Sequence, residues 1–235
     1  ACRALLTGGT DWLAADRSAE ISVGNSQPIR FTAGSDGPDL LGTIEADKLK
    51  PEMGNILVTV KGSPVKANAG IGWGAAHWQY FEHLDRVRSA GGPLSVRKAL
   101  FRERTTAKGP VLEEVTEETS LQVGDKLVVR LTVRSDRFME YVHLKDLRAS
   151  GTEPADVLSE YRWQGILGYY QSTRDASTNF FLPVLPKGTH VFDYTLFVSH
   201  AGRFPAGIAT IECMYAPSFR GHSESLLLRV SERGE

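Results

Sequence analysis

Residues 180–217, FFLPVLPKGTHVFDYTLFVSHAGRFPAGIATIECMYAP, leave this chain few folds to choose from. Pro186, Lys187 and Gly188 mark a turn, because proline fixes a backbone angle and glycine accepts left-handed conformations. From Val191 to His200 the side chains alternate. Phe192, Tyr194, Leu196 and Val198 fall on one side, and Asp193, Thr195 and Ser199 on the other. A period of two belongs to a strand with one face on a core. Gly202, Pro205 and Gly207 punctuate a return. Ala209, Ile211, Cys213 and Tyr215 then form a second apolar face, which ends at Ala216 and Pro217. The stretch predicts two long strands joined by a tight connection, and it contains no catalytic motif.

The same pattern extends on both sides. Leu94 to Arg104 reads as a strand. Leu121, Val123, Gly124 and Asp125 lead into residues 126–134, where Leu127, Val129, Leu131 and Val133 face in and Val128, Arg130, Thr132 and Arg134 face out. Tyr141 to Leu147 is the next strand, and Leu226, Leu228 and Val230 point inward in the last. Residues 149–178 form the longest region without alternation. Roughly seven strands at this spacing, with no long helix, predict an all-β fold, an antiparallel β-sandwich over residues 93–235.

The chain before Pro93 is different. Ala4, Leu5 and Leu6 read as the last turn of a helix stopped by Gly8 and Gly9, and Thr10 caps a turn carrying Trp12 and Leu13. Residues 1–19 are therefore expected to be the remnant of an upstream helical domain. Strand signals follow at Ile21 and Val23, at Ile29 and Phe31, and at Ile56, Val58 and Val60, with a glycine-rich loop between Gly34 and Gly42. Residues 20–92 make a smaller β-domain, expected to be incomplete, with too few large apolar residues for more than a thin core. Residues 76–87, carrying Trp78, Tyr80 and Phe81, read as one short helix or as a strand running into a linker. Gly91, Gly92 and Pro93 are the linker.

Composition narrows the function. A net charge of −1 over 235 residues leaves no basic excess to meet phosphates, which excludes a nucleic-acid partner. No apolar run approaches the roughly 20 residues a membrane-spanning helix needs. Cys2 and Cys213 are too far apart in sequence for a metal or redox motif and read as buried thiols. A disulfide between them requires the chain ends to meet, which spacing does not decide. Six histidines are scattered without the paired spacing of a metal site. His143 and Asp146 lie close in sequence, but no serine sits in a nucleophile elbow. The residues imply no cofactor. The loop at residues 161–175 is the best candidate for binding. Trp163, Tyr169 and Tyr170, with Arg162, Gln164, Arg174 and Asp175, are suited to stack on and hydrogen-bond a sugar or peptide, as a carbohydrate-binding sandwich does, and equally suited to fold over the sheet edge as a compact loop.

The runs GDKLVVRLTVRSDRFMEYVHLKD and STRDASTNFFLPVLPKGTHVFDYTLFVSHAGRFPAGIATIECMYAP together resemble the C-terminal macroglobulin-like domain of bacterial alpha-2-macroglobulins, equivalent to the receptor-binding domain of animal members. KPEMGNILVTVKG and GWGAAHWQYFEHLDRV resemble, less strongly, the CUB-like part of the same family, and residues 1–19 resemble the end of its thioester domain. The resemblance implies a non-catalytic fragment of a protease-trapping protein, periplasmic or associated with the cell envelope through a lipoprotein signal. Its partners would be the rest of the parent chain, above all a thioester domain, and target proteases through that parent. The chain has no CxEQ motif, and Cys2 is followed by Arg3, Ala4 and Leu5. The reactive bond is therefore not in this segment. In the family, aromatic residues of the terminal domain shield the thioester from water. That implies Met214, Tyr215 and Phe219 as the surface that docks on the thioester domain, against the alternative that Tyr215 continues the buried face of Ile211 and Cys213.

Overall fold

The structure, a computed structural model, describes residues 17–24, 26–32, 42–62 and 76–234. The helix end and capped turn expected before residue 17, with Cys2, lie outside the described residues, as does most of the glycine-rich loop. Two compact units are present, Ala1–Trp78 and Gln79–Glu235. The division falls ahead of the linker at Gly91 to Pro93. Ala90 already exchanges backbone hydrogen bonds with His222, at 3.0 and 2.7 Å, which ties the linker to the second unit.

In the first unit, β1 (Arg17–Val23) pairs antiparallel with β2 (Ile29–Thr32) and β3 (Ile56–Gly62), in the order β2-β1-β3. Ile21 stands between Ile29 and Val58, so one face of this sheet is apolar. Met53, in a 3-10 turn at Pro51–Gly54, is the one buried apolar side chain among the described residues of the unit. Ile56, Leu57, Val58 and Val60 are exposed. The thin core expected from composition is what the sheet has. Residues 76–83 form neither helix nor strand, against the expectation. Trp78, Tyr80 and Phe81 are exposed without a partner strand, and the segment's regular structure is one 3-10 turn, Leu84–Arg86.

The second unit is a sandwich. One sheet runs β5-β4-β7-β13-β9, from β4 (Leu94–Thr106), β5 (Gly109–Glu114), β7 (Lys126–Ser135), β9 (Thr152–Pro154) and β13 (Gly188–Val198). The other runs β10-β11-β12-β8-β15-β16, from β8 (Met139–Leu147), β10 (Glu160–Gln164), β11 (Leu167–Thr173), β12 (Ser177–Leu185), β15 (Ala209–Cys213) and β16 (Arg220–His222). A small sheet of β14 (Gly202–Pro205), β17 (Leu227–Ser231) and β6 (Ser120–Gln122) closes one side, and its β17–β6 pair is parallel.

The faces read from alternation hold. Leu127, Val129, Leu131 and Val133 of β7 are buried, as are Phe192, Tyr194, Leu196 and Val198 of β13. The rings of Tyr169, Phe180, Phe192 and Tyr194 form one aromatic cluster between the sheets, with Phe192 edge-on to Tyr169 at 5.1 Å. Val128 faces out but is also covered, since Phe101 and Thr195 flank it across the ladder.

Three expectations are corrected. The strands at 188–198 and 209–213 are not hairpin partners. The chain leaves β13, passes through β14 and enters the opposite sheet as β15. The crossing is held by Gly207, whose φ is 75° and where a Cβ would stand 2.4 Å from the Leu147 carbonyl oxygen, so only glycine fits. Residues 149–178 are not irregular but carry β9 to β11 and the start of β12. At its end alternation fails because Ser177, Thr178, Asn179 and Phe180 are all buried in succession. The unit also has about twice the strands expected, because short edge strands lack a long apolar pattern.

Two charges cross the core. Lys98 of β4, whose side chain is 3% exposed, donates from Nζ to Asp146 Oδ1 and to the carbonyls of Leu147 and Ala206, each at 2.8 Å. Asp146 of β8 is fully buried, and the Tyr194 hydroxyl donates to its Oδ2 at 2.5 Å. A buried ion pair is retained only where further hydrogen bonds satisfy it, and here they do so by tying one sheet to the other.

Candidate functional site

The end of β15 is built by a change of backbone direction. Ala209, Ile211 and Cys213 point into the core, and continued alternation would bury Tyr215 next. Two consecutive turns prevent it. Ala216 N donates to Cys213 O at 3.0 Å, and Phe219 N to Ala216 O at 2.9 Å. Tyr215 is thereby swung out and is 79% exposed, with Met214 beside it 52% exposed. The Met214 amide donates to the Tyr141 carbonyl at 2.9 Å, and the Tyr215 ring stands edge-on to the Tyr141 ring, 5.1 Å between centroids.

Tyr141 itself has φ 53° and is the one non-glycine residue with positive φ among the described residues. A bulky aromatic residue in that region is uncommon, costs on the order of 1 kcal/mol or more, and marks a conformation the surroundings impose. Cys213 Sγ reaches the Glu140 carbonyl at 3.2 Å and helps fix that kink. The result is a tip presenting Tyr141, Met214 and Tyr215. Phe219 does not share it. Its ring is half-buried against the core, under the Arg137 guanidinium at 5.3 Å. Arg137 is held by Asp136 through Nε–Oδ1 at 2.8 Å. That hydrogen bond lowers the Asp136 carboxyl below its usual range and raises the Arg137 guanidinium above its own.

The aromatic residues of 161–175 do not converge. This segment is the hairpin β10–β11, turned at Gly165 and Ile166, not a compact loop. Register puts Tyr161 opposite Tyr170 and Trp163 opposite Gly168 on the outer face, and Arg162 opposite Tyr169 on the inner face. Trp163 is 76% exposed and lies against Gly168, where a Cβ would come within 2.8 Å of the indole. Tyr170 is half-buried, with the Tyr161 ring 5.0 Å away. Tyr169 instead belongs to the core cluster, and burial raises its phenol above the usual range. Arg174 and Asp175 offer their backbone carbonyls to Arg148.

The other polar candidates are structural. His143 stacks on Phe181 at 4.7 Å and pairs with Asn179 Oδ1 at 3.1 Å. Asp146 lies on the opposite face of the same strand, so the two form no relay. Among the described residues no group of three or more His, Cys, Asp or Glu is placed to hold a metal ion, and no helix is long and apolar enough to cross a membrane. Sequence reading missed Tyr141, which sits in MEYVHL as an ordinary strand residue, and nothing in the sequence flags its backbone conformation.

Comparison with known proteins assigns the second unit. Residues 94–218, more than half of the chain, match the family model of the bacterial alpha-2-macroglobulin MG10 domain. Similar solved structures include Salmonella alpha-2-macroglobulin reacted with methylamine, 17% identical with a TM-score of 0.49 over 92% of this chain and 13% of that one. Native Escherichia coli alpha-2-macroglobulin from domain MG7 to the C-terminus is 13% identical, with a TM-score of 0.49 over 92% of this chain and 33% of that one. A Dictyostelium discoideum protein described as circularly permutated Ras protein 2 is 30% identical over 111 residues, 47% of this chain and 3% of its own length. The chain thus spans a small part of each of these proteins. On the match across the sandwich, from the first residue of β4 to the turn after β15, the chain belongs to the bacterial alpha-2-macroglobulin family.

Proposed function

We propose that this chain is the non-catalytic C-terminal part of a bacterial protease-trapping macroglobulin, and that the tip at Met214 and Tyr215 docks on the parent's thioester domain. The parent acts outside the cytoplasm, in the periplasm or on the cell envelope, and meets target proteases through its other domains. Residues 20–92 supply the CUB-like part that precedes the sandwich. The observation that carries the reading is the exposure of Tyr215, a large ring held out of its own domain's core by two backbone turns. A thioester is hydrolysed wherever water reaches it, so its cover must be large and apolar. A tyrosine offers ring area plus one polar tip. Tyr141 joins this surface, since its edge contact fixes the angle of the Tyr215 ring. Phe219 supports the turn from beneath.

The test uses a full-length parent with an intact thioester. Tyr215→Ala is expected to speed the loss of methylamine reactivity several-fold, with little change in melting temperature, because the ring is already outside the core. An unchanged rate overturns the docking assignment.

A further inference from the structure

The outer face of the small sheet carries two arginines side by side. Leu228 and Val230 of β17 are buried and Phe204 of β14 packs on the core, so Arg229 and Arg203 point outward. Register sets them opposite each other, and it sets Ser120 of β6 on the other flank of Arg229. Leu121 is buried, so the Ser120 side chain shares the outer face. Arginine, arginine and serine therefore stand in one row across three strands.

The rung that joins the two arginines is the close kind. Ala206 N donates to Leu226 O at 2.7 Å, and Pro205 has no N–H to give. Counted back in steps of two, the hydrogen-bonded rungs are Phe204–Leu228 and Gly202–Val230. Arg203 and Arg229 form the rung between them, where opposed side chains come closest. Like charges directly opposite destabilise a strand pair. Where other charges of the sandwich share a rung they match, as Arg102 does with Glu113, Lys126 with Glu103 and Arg130 with Asp193, at 2.8, 2.8 and 2.7 Å. Among the described residues Arg203–Arg229 is the one like-charged rung, and neither guanidinium makes an ion pair or a side-chain hydrogen bond.

A cleft of about 340 Å³ opens here, lined by Ser120, Gly202, Arg203, Arg229, Val230 and Ser231. Gly202, with φ 143°, contributes no side chain, and one there would meet the Phe204 ring at 3.0 Å. The Ser231 hydroxyl donates to the Leu121 carbonyl at 3.2 Å, whereas the Ser120 hydroxyl has no partner among the described residues. Arg102 reaches the Ser120 carbonyl at 3.2 Å, but its charge is already met by Glu113. Glu118 and Glu232, the nearest acids in sequence, make no ion pair with either arginine.

We infer that this cleft binds a phosphate group. Two guanidiniums bring two positive charges, which a single carboxylate would leave half met. A phosphate group carries about −1.5 to −2 near neutral pH and presents three strong acceptor oxygens. That is enough for both arginine forks and the Ser120 hydroxyl. The chain's net charge of −1 disfavours a long run of phosphates, not a single one. The inference is independent of the docking reading, since it uses none of the same residues.

The experiment titrates the 15N-labelled 235-residue chain at low ionic strength, where screening is least. Inorganic phosphate, glycerol 3-phosphate and succinate are added in turn, and the guanidinium Nε–H signals of Arg203 and Arg229 are followed. Both signals are expected to move and saturate with phosphate. Saturation by inorganic phosphate alone identifies the free ion as ligand, and tighter saturation by glycerol 3-phosphate identifies a phosphate carried on a larger molecule. Arg203→Gln and Arg229→Gln are each expected to weaken binding about tenfold, and Arg229→Lys, which keeps the charge without the fork, to weaken it as well. Without phosphate neither Gln variant should melt below the parent chain, because the opposed charges are gone, and phosphate should raise the melting temperature of the parent chain alone. No saturation by either phosphate, equal binding of succinate, or unchanged affinity in both Gln variants overturns the inference.

Discussion

Tyr194 shows how one side chain in this core links fold to pH. Burial, then the charge of Asp146 beside it, hold its phenol well above the usual range. The folded state therefore keeps the proton to higher pH than the unfolded chain, whose tyrosines ionise near pH 10. Below about pH 10 both states are protonated and the contribution is complete. Above it the unfolded state gives up its proton first, and stability falls as pH rises. Tyr194→Phe should remove this alkaline decline while costing about 1–3 kcal/mol at pH 8, because Asp146 Oδ2 loses its donor. Urea unfolding of both proteins from pH 8 to 11 measures it, and parallel pH profiles would exclude the linkage. Lys98 and Asp146 belong to the same node. Removing either alone would leave an unpaired buried charge, the costly way to break a buried pair.

Strand β13 is the element on which both sheets depend. It carries Phe192 into the aromatic cluster and Tyr194 to Asp146 while pairing with β7 along ten residues, Gly188 to Phe197. Truncating Phe192 to Ala should cost on the order of 3–5 kcal/mol by denaturant unfolding. A loss below about 1 kcal/mol would mean that the ring is not in the core, since a one-residue slip exchanges the faces. Such strands were legible because one face is buried and the other wet. The start of β12, inside the opposite sheet, was not. Thr178 and Asn179 are buried polar residues satisfied by neighbours distant in sequence, Thr178 by Arg148 and Asn179 by His143, and no periodic pattern records that. The exposed tip at Met214 and Tyr215 was half legible. Pro217 and the turn around it marked where alternation stops, but only tertiary geometry decides that Tyr215 turns outward and that Tyr141 meets it. The hairpin aromatics read as one group and stand on two faces, because register cannot be counted without knowing where the turn lies.

At the scale of the molecule the two units differ in how much they bury. The sandwich has a continuous core, whereas the described strands of the first unit have an apolar face with exposed Ile56, Val58 and Val60. Three strands without a covering layer are marginal. Limited proteolysis should cut within residues 76–92, where Tyr80, Phe81, Arg86 and Arg88 are exposed, and leave a resistant fragment that begins between residues 79 and 94. A resistant fragment from residues 17–62, with the sandwich degraded, would reverse that ranking. The interleaving of the two sheets carries a consequence in time. A ribosome delivers strands in an order that completes neither sheet early: β8 must wait for β12 and β15, and β6 waits for β17, a contact that joins Ser231 to Leu121 across 110 residues. Assembly is dominated by distant pairings, which makes it slow. β4, β5 and β7 can pair as they emerge, but β8 stands finished and apolar before its partners β12 and β15 exist, and it is over this interval that chaperones have their opportunity.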